Sequence, residues 1–260
     1  MLRDKVAIIT GSTSGIGLGI AQELAKAGAH IVLNGLGDHN QIELVRAELA
    51  ATHKVQVIYV PADLAQPDQA AEMVHAAEMA LGRVDILVNN AGIQFVAPID
   101  EFPASKWHQI LAINLSSNFF AMQAAIPGMK NRGWGRIINI ASAHGLVGSP
   151  FKSAYVAAKH GVLGLTKVAA LELAQTGITV NAVCPGYVHT PLVEGQIVDQ
   201  MKAHGLSRDA VIRDVLLGSQ PNKRFVQVEE LGALAVFLSS DGAQSITGTA
   251  LPVDGAWTAH

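Results

Sequence analysis

Short, mostly apolar runs at positions 6–10, 30–34, 55–61, 86–89, 136–140, 179–184 and 250–253 predict buried strands. Between them, at 16–27, 39–53, 67–80, 106–130, 154–175 and 228–238, apolar positions recur every three or four residues and predict helices. Strands apolar on both faces, alternating with helices, predict an α/β fold: a doubly wound parallel sheet of about seven strands with helices on both sides. One helical stretch, 188–220, falls outside the alternation and is expected to form a small lid at the rim of the sheet. No repeat, low-complexity tract or linker divides the chain, so one domain spanning 1–260 is expected.

Composition narrows the classes open to this chain. Half of the residues are apolar and 15% are charged, which supplies a large core and excludes general disorder. The net charge is −3 with no long basic run, so no nucleic-acid partner is expected. Cys184 is the single cysteine; it rules out an intramolecular disulfide, fits a reducing compartment and reads as a small apolar packing residue. No apolar run is expected to reach membrane-spanning length, and the opening MLRDKVAIITG lacks a signal-peptide core with a cleavage site. A cytoplasmic protein with no membrane partner is therefore expected.

In such folds ligands sit beyond the carboxyl ends of the strands. After the first strand comes Gly11-Ser12-Thr13-Ser14-Gly15-Ile16-Gly17. Its glycines allow a tight turn against a pyrophosphate, and the next helix offers its N-terminal N–H groups. No Gly-Lys-Ser/Thr follows, so this is not a P-loop. After the second strand, Asn34-Gly35-Leu36-Gly37 carries neither an acid for a ribose hydroxyl nor a cation for a 2′-phosphate, which favours NAD over NADP. Asp38 could reach the ribose or cap the next helix. Asp63 and Leu64 follow the third strand and could meet an adenine or form a capping turn. Asn90, Ala91 and Gly92 follow the fourth and are small enough for backbone contact with a flat ligand. In the turn after the sixth, Pro185-Gly186-Tyr187-Val188-His189-Thr190, Val188 and Thr190 could offer polar groups to a carboxamide. Asn114, a mediocre helix former in mid-helix, invites a kink or a water site. Ser142 ends the fifth strand, and Tyr155 and Lys159 share one helix face. An ammonium near a phenol favours phenolate and makes a base that works nearer neutrality.

In this order and spacing, Gly11–Gly17, Asn89-Asn90-Ala91-Gly92, Asn114, Ser142, Tyr155-x-x-x-Lys159 and Pro185-Gly186 resemble the short-chain dehydrogenase/reductase family over the full length. The resemblance implies a Rossmann-type fold and hydride transfer between a nicotinamide and a carbinol carbon, without metal. Tyr155 would be the acid/base, Ser142 would hold the substrate oxygen, and Lys159 would lower the tyrosine pKa and bind the nicotinamide ribose. Asn114 would steady a water linking Lys159 to solvent. Gln94, the stretch 141–147, the stretch 152–161, Thr190-Pro191-Leu192-Val193 with Gln196, and Asp254-Gly255-x-Trp257 further resemble the bacterial D-3-hydroxybutyrate dehydrogenases. That implies a small anionic 3-hydroxy acid held by Gln94, His144, Lys152 and Gln196, with Trp257 closing over it and Tyr187 as an aromatic wall. It also implies a homotetramer. Tyr187, Phe95, His189 and Ala256 depart from that group's usual tryptophan, histidine, arginine and glycine. Two other readings compete: a carrier- or CoA-linked 3-oxoacyl reductase, which needs NADPH, and a non-catalytic dinucleotide sensor, which would not need Tyr155 or Lys159.

Overall fold

The computed structural model describes residues 1–259, except for the side chains at 192, 199 and 202–204. Seven parallel strands form one sheet in the order β3-β2-β1-β4-β5-β6-β7. They are β1 (Val6–Ile9), β2 (His30–Leu33), β3 (Val57–Tyr59), β4 (Ile86–Asn89), β5 (Gly135–Ile140), β6 (Ile178–Pro185) and β7 (Ala250–Val253). Every residue of β1, β4, β5 and β6 is buried, as expected of strands covered on both faces. The run at 55–61 contracts to three residues, because it lies at the sheet edge and only Val57–Tyr59 find partners, in Ile31–Leu33.

The helices are α1 (Gly15–Lys26), α2 (His39–His53), α3 (Pro67–Leu81), α4 (Ala104–Leu111), α5 (Ser117–Arg132), α6 (Ser153–Leu173), α7 (Pro191–His204), α8 (Arg208–Ala210) and α9 (Val228–Leu238). One core joins α1 and α9 to one face of the sheet through Ile20, Leu24, Leu231 and Leu238. A second packs α3, α5 and α6 on the other through Met73, Ala77, Met129 and Leu173. Asp38 caps α2 by accepting from the Gln41 N–H at 3.0 Å.

The helix expected at 106–130 is interrupted. A π turn, Ala112–Ser116, separates α4 from α5 and centres on Asn114. Taken together, Ala104–Arg132 span 29 residues with a mean hydropathy of 1.2 in the most apolar window. This corrects the expectation that no stretch reaches membrane-spanning length and apolarity. Its apolar side has a protein partner, since Ala121, Met122, Ala125 and Met129 lie in the sheet core.

Strand order reverses between β1 and β4, so the loops leaving their carboxyl ends part and open a crevice. Over this crevice, α7 and the π turn Val211–Leu216 share a small core of Val193, Ile197, Val211 and Leu216, joined by Tyr187 and Phe225. The stretch at 188–220 is thus a packed unit rather than a loose loop.

Candidate active site

The glycine loop leaves β1 and enters α1. A Cβ at Gly17 would stand 2.3 Å from the Gly11 carbonyl oxygen, so only glycine lets the helix start this close to the strand end. The loop is tied on two sides. Asn90 Nδ2 donates to the Thr10 and Gly11 carbonyls at 2.8 and 3.1 Å, and the Asn90 and Ala91 N–H groups donate to Thr10 Oγ1. Buried Asn34 accepts from the Gly11 N–H at 3.3 Å and donates to the Val60 and Ala62 carbonyls at 3.2 and 3.3 Å. The sequence signal for this role is an amide, donor and acceptor at once, at a strand end.

A cavity of about 430 Å³ runs along this loop, lined by Gly11, Ser14, Gly15, Ile16, Gly35, Leu36, Asp63, Leu64 and Thr190 among others. Thr13 packs under it against Gly35. Leu36 is 70% exposed at its rim, and among the described residues no basic one lines it. Asp63 Oδ1 accepts from the Ala65 N–H at 3.0 Å, so the residue makes a local turn while lining the cavity. Thr190 caps α7, its hydroxyl oxygen accepting from the Val193 N–H at 3.4 Å.

A second cavity of about 660 Å³ continues from the first past Asn90, Gly92, Ser142, Tyr155, Lys159, Pro185, Gly186 and Val188. It opens in turn into a third of about 190 Å³, lined by Gln94, Ser142, His144, Lys152, Tyr155, Tyr187, Gln196 and Trp257 together with Ile16, Gly186, Val188, Thr190 and Val193. The expected residues from five separate segments therefore meet in one cleft. A surface hollow of about 730 Å³ between 97–100 and 148–160 shares none of these lining residues.

Ser142 sits in extended backbone where β5 ends, its hydroxyl accepting from the His144 N–H at 3.1 Å. Lys159 is 3% exposed and its ammonium donates to the Ile140 carbonyl at 2.7 Å. Burial pushes its pKa down to about 8. The Tyr155 phenol behaves otherwise than expected. Burial holds its pKa above the ordinary value, a hydrogen bond with Ser142 opposes this, and the phenol of Tyr187 adds to the rise. Among the described contacts the Lys159 ammonium donates to the Ile140 carbonyl and not to the phenol, and it lies 5.6 Å from the tyrosine ring centroid.

Asn114 supplies the kink expected of it, since the π turn centres on it. Its side chain bonds one backbone unit, accepting from the Ile93 N–H and donating to the Ile93 carbonyl, both at 2.9 Å. The side chain is thus a clamp that holds the Gly92–Gln94 wall. The Asn114 backbone carbonyl accepts from Asn118 Nδ2, in the first turn of α5, at 3.5 Å.

The 190 Å³ cavity is electrostatically one-sided. Among the described residues that line it, Lys152, half-buried at the entry to α6, is the only charged one, and none is a carboxylate. Among the described residues no salt bridge engages Lys152. Burial lowers its pKa. His144, buried and beside that ammonium, has its pKa pushed down to about 4 by burial first and by Lys152 second, so it is neutral at pH 7. Its ring stands edge-on to Trp257 at 4.9 Å and to Tyr155 at 6.1 Å, while Trp257 stacks parallel on Tyr187 at 5.9 Å. Cys184 is buried beneath the site with its thiol pKa raised to about 11, as expected of a packing residue.

The sequence matches the family model for short chain dehydrogenases over residues 5–200. The chain is 56% identical, over 98% of its length and 99% of the relative's, to a Rhizobium meliloti protein named D-beta-hydroxybutyrate dehydrogenase. It is 52% identical, over the full length of both, to a Cupriavidus necator protein of the same name. Its fold superposes with a TM-score of 0.91 on a variant of actinorhodin polyketide ketoreductase solved with NADPH, at 34% identity and full coverage of both chains.

Proposed function

This chain belongs to the short-chain dehydrogenase family, and we propose that within it the protein is an NAD-dependent D-3-hydroxybutyrate dehydrogenase, interconverting (R)-3-hydroxybutyrate and acetoacetate. The observation that carries the reading is the small cavity beside Ser142 and Tyr155, whose described lining residues include one ammonium, engaged in no salt bridge among the described residues, and no carboxylate. A four-carbon hydroxy acid has little apolar area, so its affinity must come from charge-assisted hydrogen bonds. Lys152 supplies the charge, and Gln94, His144 and Gln196 supply neutral donors. Because His144 is neutral, it adds a hydrogen bond without a second charge.

The glycine loop, Asn90–Gly92, the Pro185–Thr190 turn and Lys159 fit a dinucleotide: the two larger cavities join end to end along them. When bound, the oxidised nicotinamide supplies a hydride acceptor and a positive charge near the Tyr155 phenol. Ser142 and Tyr155 hold the substrate oxygen between two hydroxyls. Tyr155 takes the hydroxyl proton as the carbon gives up its hydride, and returns it in the reverse direction. Lys159, anchored on the Ile140 carbonyl, presents the ribose-binding charge and can pass a proton toward the Asn114 carbonyl through water. Gly35 and the exposed Leu36 offer no counter-charge for a 2′-phosphate, which supports NAD over NADP. The α6 face exposing Val168 at 54% and Leu171 at 80% supports association between copies of the chain, which we read as a homotetramer from the family resemblance.

The test is turnover of (R)-3-hydroxybutyrate with NAD, run beside reduction of acetoacetyl-CoA with NADPH. The first pair should react with the higher kcat/KM. Preference for the second pair would establish a 3-oxoacyl reductase instead, and turnover of neither would point to a sensor.

A further inference from the structure

Gln220 is fully buried, away from the chemistry, yet its amide touches both sides of the substrate pocket's outer wall. Its Oε1 accepts from the Tyr187 N–H at 3.1 Å. Its Nε2 donates to the Arg224 carbonyl and to Asn222 Oδ1. Asn222 donates its own N–H to the Gly255 carbonyl at 3.3 Å, within the C-terminal turn. That turn is organised by buried Asp254, whose carboxylate accepts from the Ala256 and Thr258 N–H groups at 3.1 and 3.0 Å and from the Thr258 hydroxyl at 2.6 Å. The turn presents Trp257, which lies parallel to Tyr187 with the planes 3° apart. The network borders the pocket directly: a Cβ on Gly186 would stand 2.4 Å from Gln220 Oε1 and 3.0 Å from Asp254 Cα.

We infer that Gln220 is a positioning residue for the substrate pocket: its amide locks the Tyr187 backbone and, through Asn222, the turn carrying Trp257, and so sets the two rings parallel across the pocket. Only a neutral amide of this length accepts from one backbone N–H while donating to a carbonyl and a side-chain oxygen. Glutamate would keep the acceptor but turn an oxygen toward the Arg224 carbonyl and Asn222 Oδ1. Methionine would fill the space and leave the buried Tyr187 N–H without a partner. The inference rests on the proposed substrate site, but its effect on ring geometry does not.

The experiment compares Gln220→Met and Gln220→Glu with wild type in three measurements. The near-ultraviolet circular dichroism and acrylamide quenching of the Tyr187–Trp257 pair need no substrate, and both should change. The KM for 3-hydroxybutyrate should rise about tenfold or more, since an unmade buried hydrogen bond loosens the wall, while NAD binding stays within about twofold. In a Trp257→Ala background the Gln220→Met effect on kcat/KM should shrink to about twofold, because residues acting through one unit are not additive. If Gln220 variants fail to fold, Thr258→Val loosens the same turn from its outer end and should give the same pattern with a smaller rise in KM. Unchanged aromatic spectra, or a full effect retained without Trp257, would overturn the inference. Altered spectra in a protein whose wild type does not turn over 3-hydroxybutyrate would overturn the substrate reading and leave the positioning role standing.

Discussion

Replacing Lys152 by alanine tests the anion site most directly. Among the described residues the ammonium carries no salt bridge and is the only charge lining a cavity of about 190 Å³; it is half-buried. A substrate carboxylate placed there would have the ammonium as its one ionic partner among the described lining residues. Removing one member of a desolvated, hydrogen-bonded charge pair costs about 2–5 kcal/mol. At about 1.4 kcal/mol per decade, kcat/KM for 3-hydroxybutyrate should fall by about thirty- to several-thousand-fold. The neutral partners Gln94, His144 and Gln196 remain, which places the expected loss toward the lower half of that range. The methyl ester of the same acid has no charge to lose and should fall by less than about threefold. The assay is NADH formation at 340 nm with both substrates, and the quantity is the acid-to-ester ratio of kcat/KM in wild type and mutant. A pH series adds an independent check. Because burial lowers the Lys152 pKa, oxidation of the acid should decline on the alkaline side as the ammonium is lost, and oxidation of the ester should lack that decline. An unchanged acid-to-ester ratio in Lys152→Ala would make the lysine a solvated loop residue and refute the reasoning.

Three further outcomes follow from the same site. Leu36→Arg should improve kcat/KM with NADP at least tenfold, since it sets a cation at the rim of the dinucleotide cavity; a wild type that already uses NADP as well as NAD would contradict the cofactor assignment. Tyr155→Phe should lower turnover by about 10²–10⁴-fold while NAD binding by fluorescence titration is kept; retained turnover would require another proton donor. Lys159→Met should abolish turnover yet stabilise the fold at pH 7. Unfolded lysine keeps its proton to about pH 10.5, and folded Lys159 only to about 8, so the native state is penalised below pH 8 and regains stability as pH rises from 8 to 10.5. At about 1.4 kcal/mol per pH unit the penalty is on the order of 3–4 kcal/mol at most, and the mutant's net gain is reduced by the lost bond to Ile140. Urea unfolding should show the mutant's advantage at pH 7 narrowing by pH 9.5, and a mutant less stable at both pH values would disprove it.

The sequence by itself determined the layers, because period carries that information. Runs such as Ile86–Asn89 can be buried on both faces only in a covered parallel sheet, and the glycine loop can lie only between a strand and a helix. It also determined which side chains converge, since residues just past strand ends meet at one edge in such a fold: Ser142, Tyr155, Lys159, Lys152 and Trp257 do line one cleft. What a side chain does once there depends on groups distant in sequence, and that was decided by tertiary structure. Asn114 is a clamp because Ile93, twenty-one residues earlier, faces it. Asn34 matters because Gly11 and Val60 converge on its amide. The Tyr155 pKa is held up because the folded chain buries the phenol, which outweighs its hydrogen bond with Ser142. Gln220 carries no motif at all, since a buried amide is recognisable only by the three groups it joins, which lie from two to thirty-three residues away. Periodicity reports which face of an element is buried; hydrogen bonds and dielectric depend on the far side of the contact, which only the folded chain supplies.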